Sequence, residues 1–389
     1  MARQKVFVDG LGLVDGHFSG IGHYILGVLR GIDDIIDESK YTKEEVPEVV
    51  VVIPRDTVAK FKEFGFKHIG YKKFPLPFRY MAALWHRGKL PPLDLWCGRG
   101  TYIFPRFVGI PLLFSKSVLI VYDLSFELHR EYSDEGNALF LSKFVRKSIG
   151  RSKKVVTISR NAQKEITDFY KLPKARVPVA YPATDPGTFY RRSQEEIADV
   201  KRKYGIEGNY ILALSNLEPR KNLGTLVDAY CQLPKTITDK YSLLLVGVTG
   251  WKTEALFDHI VSKVNEGYNI TRPAKYVLDK DRPAIISGAA LLVYPSHYEG
   301  FGMPPLEALA CGVPVIAADN SSLPEAVGSA GTLIDIDKPE LLVKTIKDTL
   351  GDIGQVSAKA LREGPRQAEK FSWAKSARMV LDAAKEAES

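Results

Sequence analysis

The sequence predicts an α/β protein made of two doubly wound domains. Short apolar runs of β character alternate with helical patterns along the whole chain, the rhythm of parallel sheets covered by helices. At 389 residues the chain is longer than one average domain. The alternation breaks once, at Ala180-Tyr-Pro-Ala-Thr-Asp-Pro186, which reads as an interdomain connection. The domains are therefore set at residues 1–186 and 187–370. Residues 371–389, a helical pattern around Trp373, are expected to pack back toward the first domain.

In the first half, Lys5–Asp9, Glu48–Ile53, Ser117–Tyr122 and Lys154–Ile158 are apolar and β-like. Helical patterns follow the first of these near Ile21–Gly31 and the last near Arg160–Tyr170. Between them Phe74–Pro111 is Pro-rich and loosely patterned, and exposed loops are expected there. The second half is cleaner. Asn209–Ser215, Ser242–Val246, Leu291–Tyr294, Val313–Ala317 and Thr332–Ile334 read as strands. Leu223–Gln232, Lys252–Asn265, Pro304–Ala310 and Pro339–Leu350 read as helices between and after them. Domains of this kind bind ligands at the C-terminal ends of their strands, which here means a cleft between the halves.

Composition narrows the class. With 45% hydrophobic and 26% charged residues, the protein is an ordinary globular one. Its three cysteines, Cys97, Cys231 and Cys311, are scattered without metal-ligand spacing, as expected of reduced thiols in a cytoplasmic protein. No signal peptide or membrane-spanning run is evident. The net charge of +8 is concentrated: Lys60 to Arg106 holds ten Lys/Arg against two acids, Glu63 and Asp94, interleaved with aromatics. Such a stretch (residues 60–106) suits an anionic membrane surface or an anionic acceptor groove. Single-stranded nucleic acid would also suit it, and a solvated face over an aromatic core is the plain alternative.

The most specific motif is Glu299-Gly-Phe-Gly-Met-Pro-Pro-Leu-Glu307. Gly300-Phe301-Gly302 supplies a flexible turn, and Pro304-Pro305 suits the first turn of a helix. The free backbone N–H groups of such a turn favour an anion. Two carboxylates beside an anion site make sense if the ligand also carries hydroxyls, because an ionised carboxylate accepts hydrogen bonds from them. A nucleotide-sugar has both a diphosphate and hydroxyls. The plain alternative is a pair of ordinary helix charges.

Taken with Ser215-Asn-Leu-Glu-Pro-Arg220-Lys221-Asn222, Tyr294-Pro-Ser-His-Tyr-Glu-Gly-Phe-Gly302 and Asn320-Ser-Ser-Leu-Pro-Glu325, this motif resembles the retaining, GT-B-fold group 1 glycosyltransferases, bacterial mannosyltransferases among them. The resemblance covers about residues 205 to 335. It is thinner in the first domain, where Gly20-Ile-Gly22-His23-Tyr24 and Val121-Tyr122-Asp123-Leu124 carry it. It implies that Arg220 and Lys221 contact the departing diphosphate, a role that fixed cations can fill. It also implies that Gly20 and Gly22 let the backbone approach the donor phosphates. Glu307 would bind the ribose hydroxyls, while Glu299 and the Gly300-Phe301-Gly302 backbone would hold the transferred sugar.

Two positions depart from the family pattern. Tyr122 stands where a histidine is usual, and tyrosine can hydrogen-bond a sugar but cannot serve as a near-neutral base. His23 stands where an arginine is common. If the missing histidine has a proton-transfer role, His17 or His23 would have to supply it. The triplets Asp279-Lys-Asp281 and Asp335-Ile-Asp337 invite a metal reading. Neither lies beside the expected phosphate site, so no metal and no cofactor are expected.

A NAD-dependent oxidoreductase is the first alternative, but Gly10-Leu-Gly12 lacks the third glycine of the dinucleotide fingerprint. A nonenzymatic RNA-binding protein would leave the diphosphate-and-hydroxyl motif unexplained, so no nucleic-acid partner is expected. A nucleotide-sugar epimerase or sugar phosphorylase on the same fold is the closer alternative. The expectation is a retaining, metal-independent hexosyltransferase taking mannose from GDP-mannose. Its acceptor would be a polysaccharide (lipopolysaccharide among them) or a lipid-linked oligosaccharide, and the protein would be cytoplasmic and peripheral on the inner face of the membrane.

Overall fold

The computed structural model describes residues 4–14, 19–37, 46–78, 80, 84 and 91–388. The chain divides into two compact units, the first of residues 1–182 with 372–389 and the second of residues 183–371.

The first unit contains β1 (Lys5–Asp9), β2 (Glu48–Pro54), β3 (Gly70–Phe74), β4 (Thr101–Phe104), β5 (Lys116–Ile120) and β6 (Lys154–Val156) in the order β3-β2-β1-β4-β5-β6. The second contains β7 (Asn209–Leu214), β8 (Tyr241–Val246), β9 (Ile270–Thr271), β10 (Leu291–Tyr294), β11 (Val315–Ala318) and β12 (Thr332–Ile334) in the order β12-β11-β10-β7-β8-β9. Every strand pairing within the two sheets is parallel. Numbered within its own unit, each sheet runs 3-2-1-4-5-6. In each, the connections reverse direction between the first and fourth strands, the place where such sheets bind ligands.

The expectation of exposed loops over Phe74–Pro111 is corrected. This segment contains a short helix, Asp94–Cys97, and β4, whose four residues are all buried beside β1. Thr-Tyr-Ile-Phe is too short to show a period, and its Gly and Pro neighbours disguised it. Asp94 is a buried carboxylate, accepting N–H bonds from Leu113, Phe114 and Ser115 at 2.7–3.1 Å. Helices at Glu135–Arg151, Gln194–Tyr204 and Ile353–Ala368 were also missed, although Ser193 and Glu196 form a capping box before the second.

The C-terminal helix Trp373–Glu388 packs in the first unit against the helix Gly20–Asp37. A Cβ at Gly27 would lie 2.3 Å from the Trp373 ring, and one at Gly31 would lie 2.5 Å from the Trp373 carbonyl. Both glycines are required by that close approach.

Candidate active site

The second unit's site is built at the strand ends on either side of the switch between β7 and β10. Past β7 the chain forms a 3-10 turn, Pro219–Lys221, and Asn222 adopts a left-handed backbone (φ 55°) before the helix Leu223–Cys231. Past β10 it runs through Ser296 to Gly302, and the helix Met303–Ala310 begins there. Gly302 has φ 113°, and a Cβ there would press to 2.7 Å on Leu323, so glycine is needed for the turn.

This geometry brings together Arg220, Lys221 and Glu299. Lys221 Nζ donates to Glu299 Oε1 at 2.6 Å and to the Tyr294 hydroxyl at 2.9 Å. Arg220 Nη1 donates to Glu299 Oε2 at 3.0 Å and to the Tyr298 carbonyl at 2.6 Å, while Nη2 reaches Glu218 at 2.7 Å. Lys221 and Glu299 are each only 7% exposed, and Glu218 only 3%. The Arg220 side chain keeps 20% of its surface exposed. Burial alone would push the Glu299 carboxyl up, yet the Arg220 and Lys221 charges outweigh it and hold the group at about 2. Burial pushes the Lys221 ammonium down from its ordinary value, with the Glu299 charge acting against it. The result is a fixed cluster of two basic and two acidic side chains with the Glu299 carboxylate ionised at its centre.

The loop after β11 locks the Glu299 backbone. The Glu299 N–H donates to Ser321 Oγ at 3.0 Å, and Ser322 Oγ donates to the Glu299 carbonyl at 2.7 Å. Asn320 Nδ2 donates to the Ser296 carbonyl at 3.1 Å. Gly300, Phe301 and Gly302 are buried, with the Phe301 ring edge-on to Phe371 at 5.1 Å.

Glu307 is buried on the helix Met303–Ala310, and both its oxygens accept from Arg282 Nη2, at 2.5 and 2.6 Å. Sequence reading missed Arg282, whose Nε is buried without a hydrogen-bond partner among the described residues. Three of the four acids of the two Asp-x-Asp triplets face protein groups. Asp281 takes Lys203 and the Tyr204 hydroxyl, Asp279 takes Arg282, and Asp335 takes Lys338.

Tyr122, Gly20 and Gly22 belong to the first unit. The Tyr122 hydroxyl donates to the Pro105 carbonyl at 2.7 Å and its ring meets Tyr24 edge-on at 5.3 Å. Burial, with the neighbouring Tyr24, pushes that hydroxyl well up, so it stays protonated. Gly20 opens the helix Gly20–Asp37 at an exposed position, and Gly22, two residues further on, is buried. His23 is half-buried in that helix, and His17 lies outside the described residues.

Known proteins resemble this chain along most of its length. The model of the family described as glycosyl transferases group 1 matches residues 195–364. O-antigen chain mannosyltransferase B of Escherichia coli is 32% identical over 73% of this chain and 74% of its own length. The serotype-specific mannosyltransferase WbdA of Escherichia coli is 28% identical over 69% of this chain, which spans only 33% of that longer protein. Among solved structures, HepE of Anabaena in complex with UDP and glucose superposes with a TM-score of 0.68 at 16% identity, covering 98% of both chains. WaaG, a glycosyltransferase involved in lipopolysaccharide biosynthesis, gives 0.68 at 16% identity over 97% of this chain and 98% of its own. These likenesses establish the GT-B fold. The chain belongs to the group 1 glycosyltransferases.

Proposed function

We propose that this enzyme transfers mannose from GDP-mannose, with retention of the anomeric configuration, to a hydroxyl of a polysaccharide or lipid-linked oligosaccharide. The observation that carries the reading is the buried Arg220–Lys221–Glu299 cluster at the β7–β10 switch. Two cations held in place before ligand arrives cost no reorganisation when a diphosphate leaves. Arg220, whose side chain keeps 20% of its surface exposed, is the first contact for that charge. Removing one such contact would raise the barrier by about 3 kcal/mol, roughly a hundredfold in rate.

In the proposed step, the bond from the sugar's anomeric carbon to the diphosphate oxygen breaks and the acceptor oxygen bonds to that carbon on the same face. The acceptor's proton passes to the leaving phosphate oxygen. Glu299 orients sugar hydroxyls as an acceptor of hydrogen bonds. Its engagement by Arg220 and Lys221 makes it a poor nucleophile, which supports same-face displacement over a glycosyl-enzyme route. Glu307, braced by Arg282, is assigned to the ribose hydroxyls, and Tyr122 is assigned the role of a positioning hydrogen-bonding group. With these cations neutralising the leaving group, no metal is required. The mannose assignment is supported by the mannosyltransferase names of the relatives and by the Glu218-Pro-Arg-Lys-Asn222 run. The enzyme is proposed to work at the cytoplasmic membrane face through residues 60–106.

The test is release of nucleoside diphosphate from GDP-mannose, GDP-fucose, UDP-glucose and ADP-glucose with a short mannan acceptor, with the product's anomeric configuration read by NMR. The expected result is turnover of GDP-mannose and an α-linked product. Turnover of another donor alone would refute the donor assignment, and a β-linked product would refute retention.

A further inference from the structure

The second unit also holds an open cavity of about 400 Å³, a volume typical of small-molecule sites. None of its lining residues belongs to the Arg220–Lys221–Glu299 cluster. One wall is a stripe of the helix Leu223–Cys231, with Thr225 and Asp228 three apart and Gln232 just past the helix end. The other face of that helix buries Leu226, Val227 and Tyr230 in the core, which turns the polar stripe outward. The helix Glu254–Asn265, packed alongside, supplies Lys263, and Tyr268 comes from the connection to β9.

The polar groups of this lining are satisfied unequally. Lys263 Nζ donates to both oxygens of Glu266, at 2.9 and 3.1 Å. Asp228 Oδ1 accepts from His259 Nε2 at 2.7 Å, which leaves its second oxygen for another donor. The Thr225 hydroxyl donates to Asn222 Oδ1 at 2.6 Å and keeps its lone pairs. The Gln232 amide and the Tyr268 hydroxyl make no hydrogen bond among the described residues. Charge decides the class of ligand. Lys263 is committed to Glu266 and Asp228 adds a negative charge, so a phosphate finds no cation here. A carboxylate oxygen, an amide and two hydroxyls beside a tyrosine ring suit neighbouring hydroxyls and the apolar face of a sugar. Asp228 and Gln232 lie one helical turn apart, about 6 Å between their Cβ atoms, a spacing that one hexose ring with its hydroxyls spans.

We propose that this cavity is a second carbohydrate site, which takes a neutral hexose unit of the acceptor glycan. The site stands on the cavity itself, and the identity of its glycan as the acceptor rests on the transferase reading above. A second point of attachment favours long acceptors over short ones, because it is made at a high effective concentration.

Isothermal titration of the full chain tests the site, with α-linked mannotetraose and inorganic pyrophosphate as probes. Each is titrated into the wild type, Asp228→Ala and Gln232→Ala. Both variants are expected to melt like the wild type, because these side chains are exposed. Each is expected to lose about tenfold in affinity for mannotetraose, the worth of one hydrogen-bonding group, and nothing for pyrophosphate. A wild type that does not bind mannotetraose overturns the proposal, as do variants that keep the wild-type affinity. A pyrophosphate affinity that falls together with the mannotetraose affinity overturns the neutral ligand. In turnover with GDP-mannose, Gln232→Ala should raise KM for mannotetraose more than KM for mannobiose. Equal changes in the two would overturn the acceptor role. If the wild type binds mannotetraose and the variants lose it, but GDP-mannose is not turned over, the carbohydrate site stands and the donor reading falls.

Discussion

Lys221 is a charged amine almost wholly inside the protein, and it is tolerated because Glu299 lies 2.6 Å away. Removing one partner of such a pair strands the other, at a cost of about 3–5 kcal/mol. Glu299 is held at about 2, below its ordinary 4.5. A depressed carboxylate stabilises the fold above its unfolded value and loses that contribution as pH falls toward the folded one. Wild type and Glu299→Gln should therefore differ most in melting temperature near neutrality. The difference should shrink as pH falls from about 4.5 toward 2. A difference that stays constant across that window would mean that Glu299 is not ionised against Arg220 and Lys221. These three residues were legible in the sequence because each lies in a contiguous run of Gly, Pro and charge. Arg282 was not. It reaches Glu307 from a separate helix start, within a run where charges look like solvated surface.

Among the elements, the short helix Asp94–Cys97 shows both what the sequence revealed and what it hid. Basic residues interleaved with aromatics were visible between Lys60 and Arg106, but the division of those aromatics was not. Phe74, Tyr102 and Phe104 belong to the core of the first unit, whereas Trp96 is 52% and Leu95 61% exposed. Leu113 and Phe114 are also exposed, with Arg99 over the Phe114 ring at 5.2 Å. Alternation cannot separate these groups, because β4 is buried on both faces and reads as a continuous apolar run. Exposed apolar groups beside cations fit an anionic lipid surface. The protein is expected to co-sediment with phosphatidylglycerol vesicles and to be released by salt. Trp96→Ala should weaken binding roughly tenfold, since burying such a side chain is worth about 1.5–3 kcal/mol. Equal binding to neutral and anionic vesicles, indifferent to salt, would refute an electrostatic surface.

For the whole molecule, two parallel sheets of identical strand order could be inferred only in part from the sequence. The alternation of strands and helices gave the class, and the second unit's strands were nearly complete. The strand order depends on β3 and β4, which carry no clear period of their own. Once the order is known, the β7–β10 switch is where ligand binding is expected, and the Arg220–Lys221–Glu299 cluster lies there. The most direct measurement is thermal stability with GDP, UDP, ADP, TDP and NAD, each with and without EDTA, for the wild type and Lys221→Ala. A ligand at a hundredfold its Kd adds about 2.7 kcal/mol, a clear upward shift. The account predicts selective stabilisation by GDP, unchanged by EDTA and lost in Lys221→Ala. Stabilisation by NAD alone, by no nucleotide, or equally in the variant would contradict it.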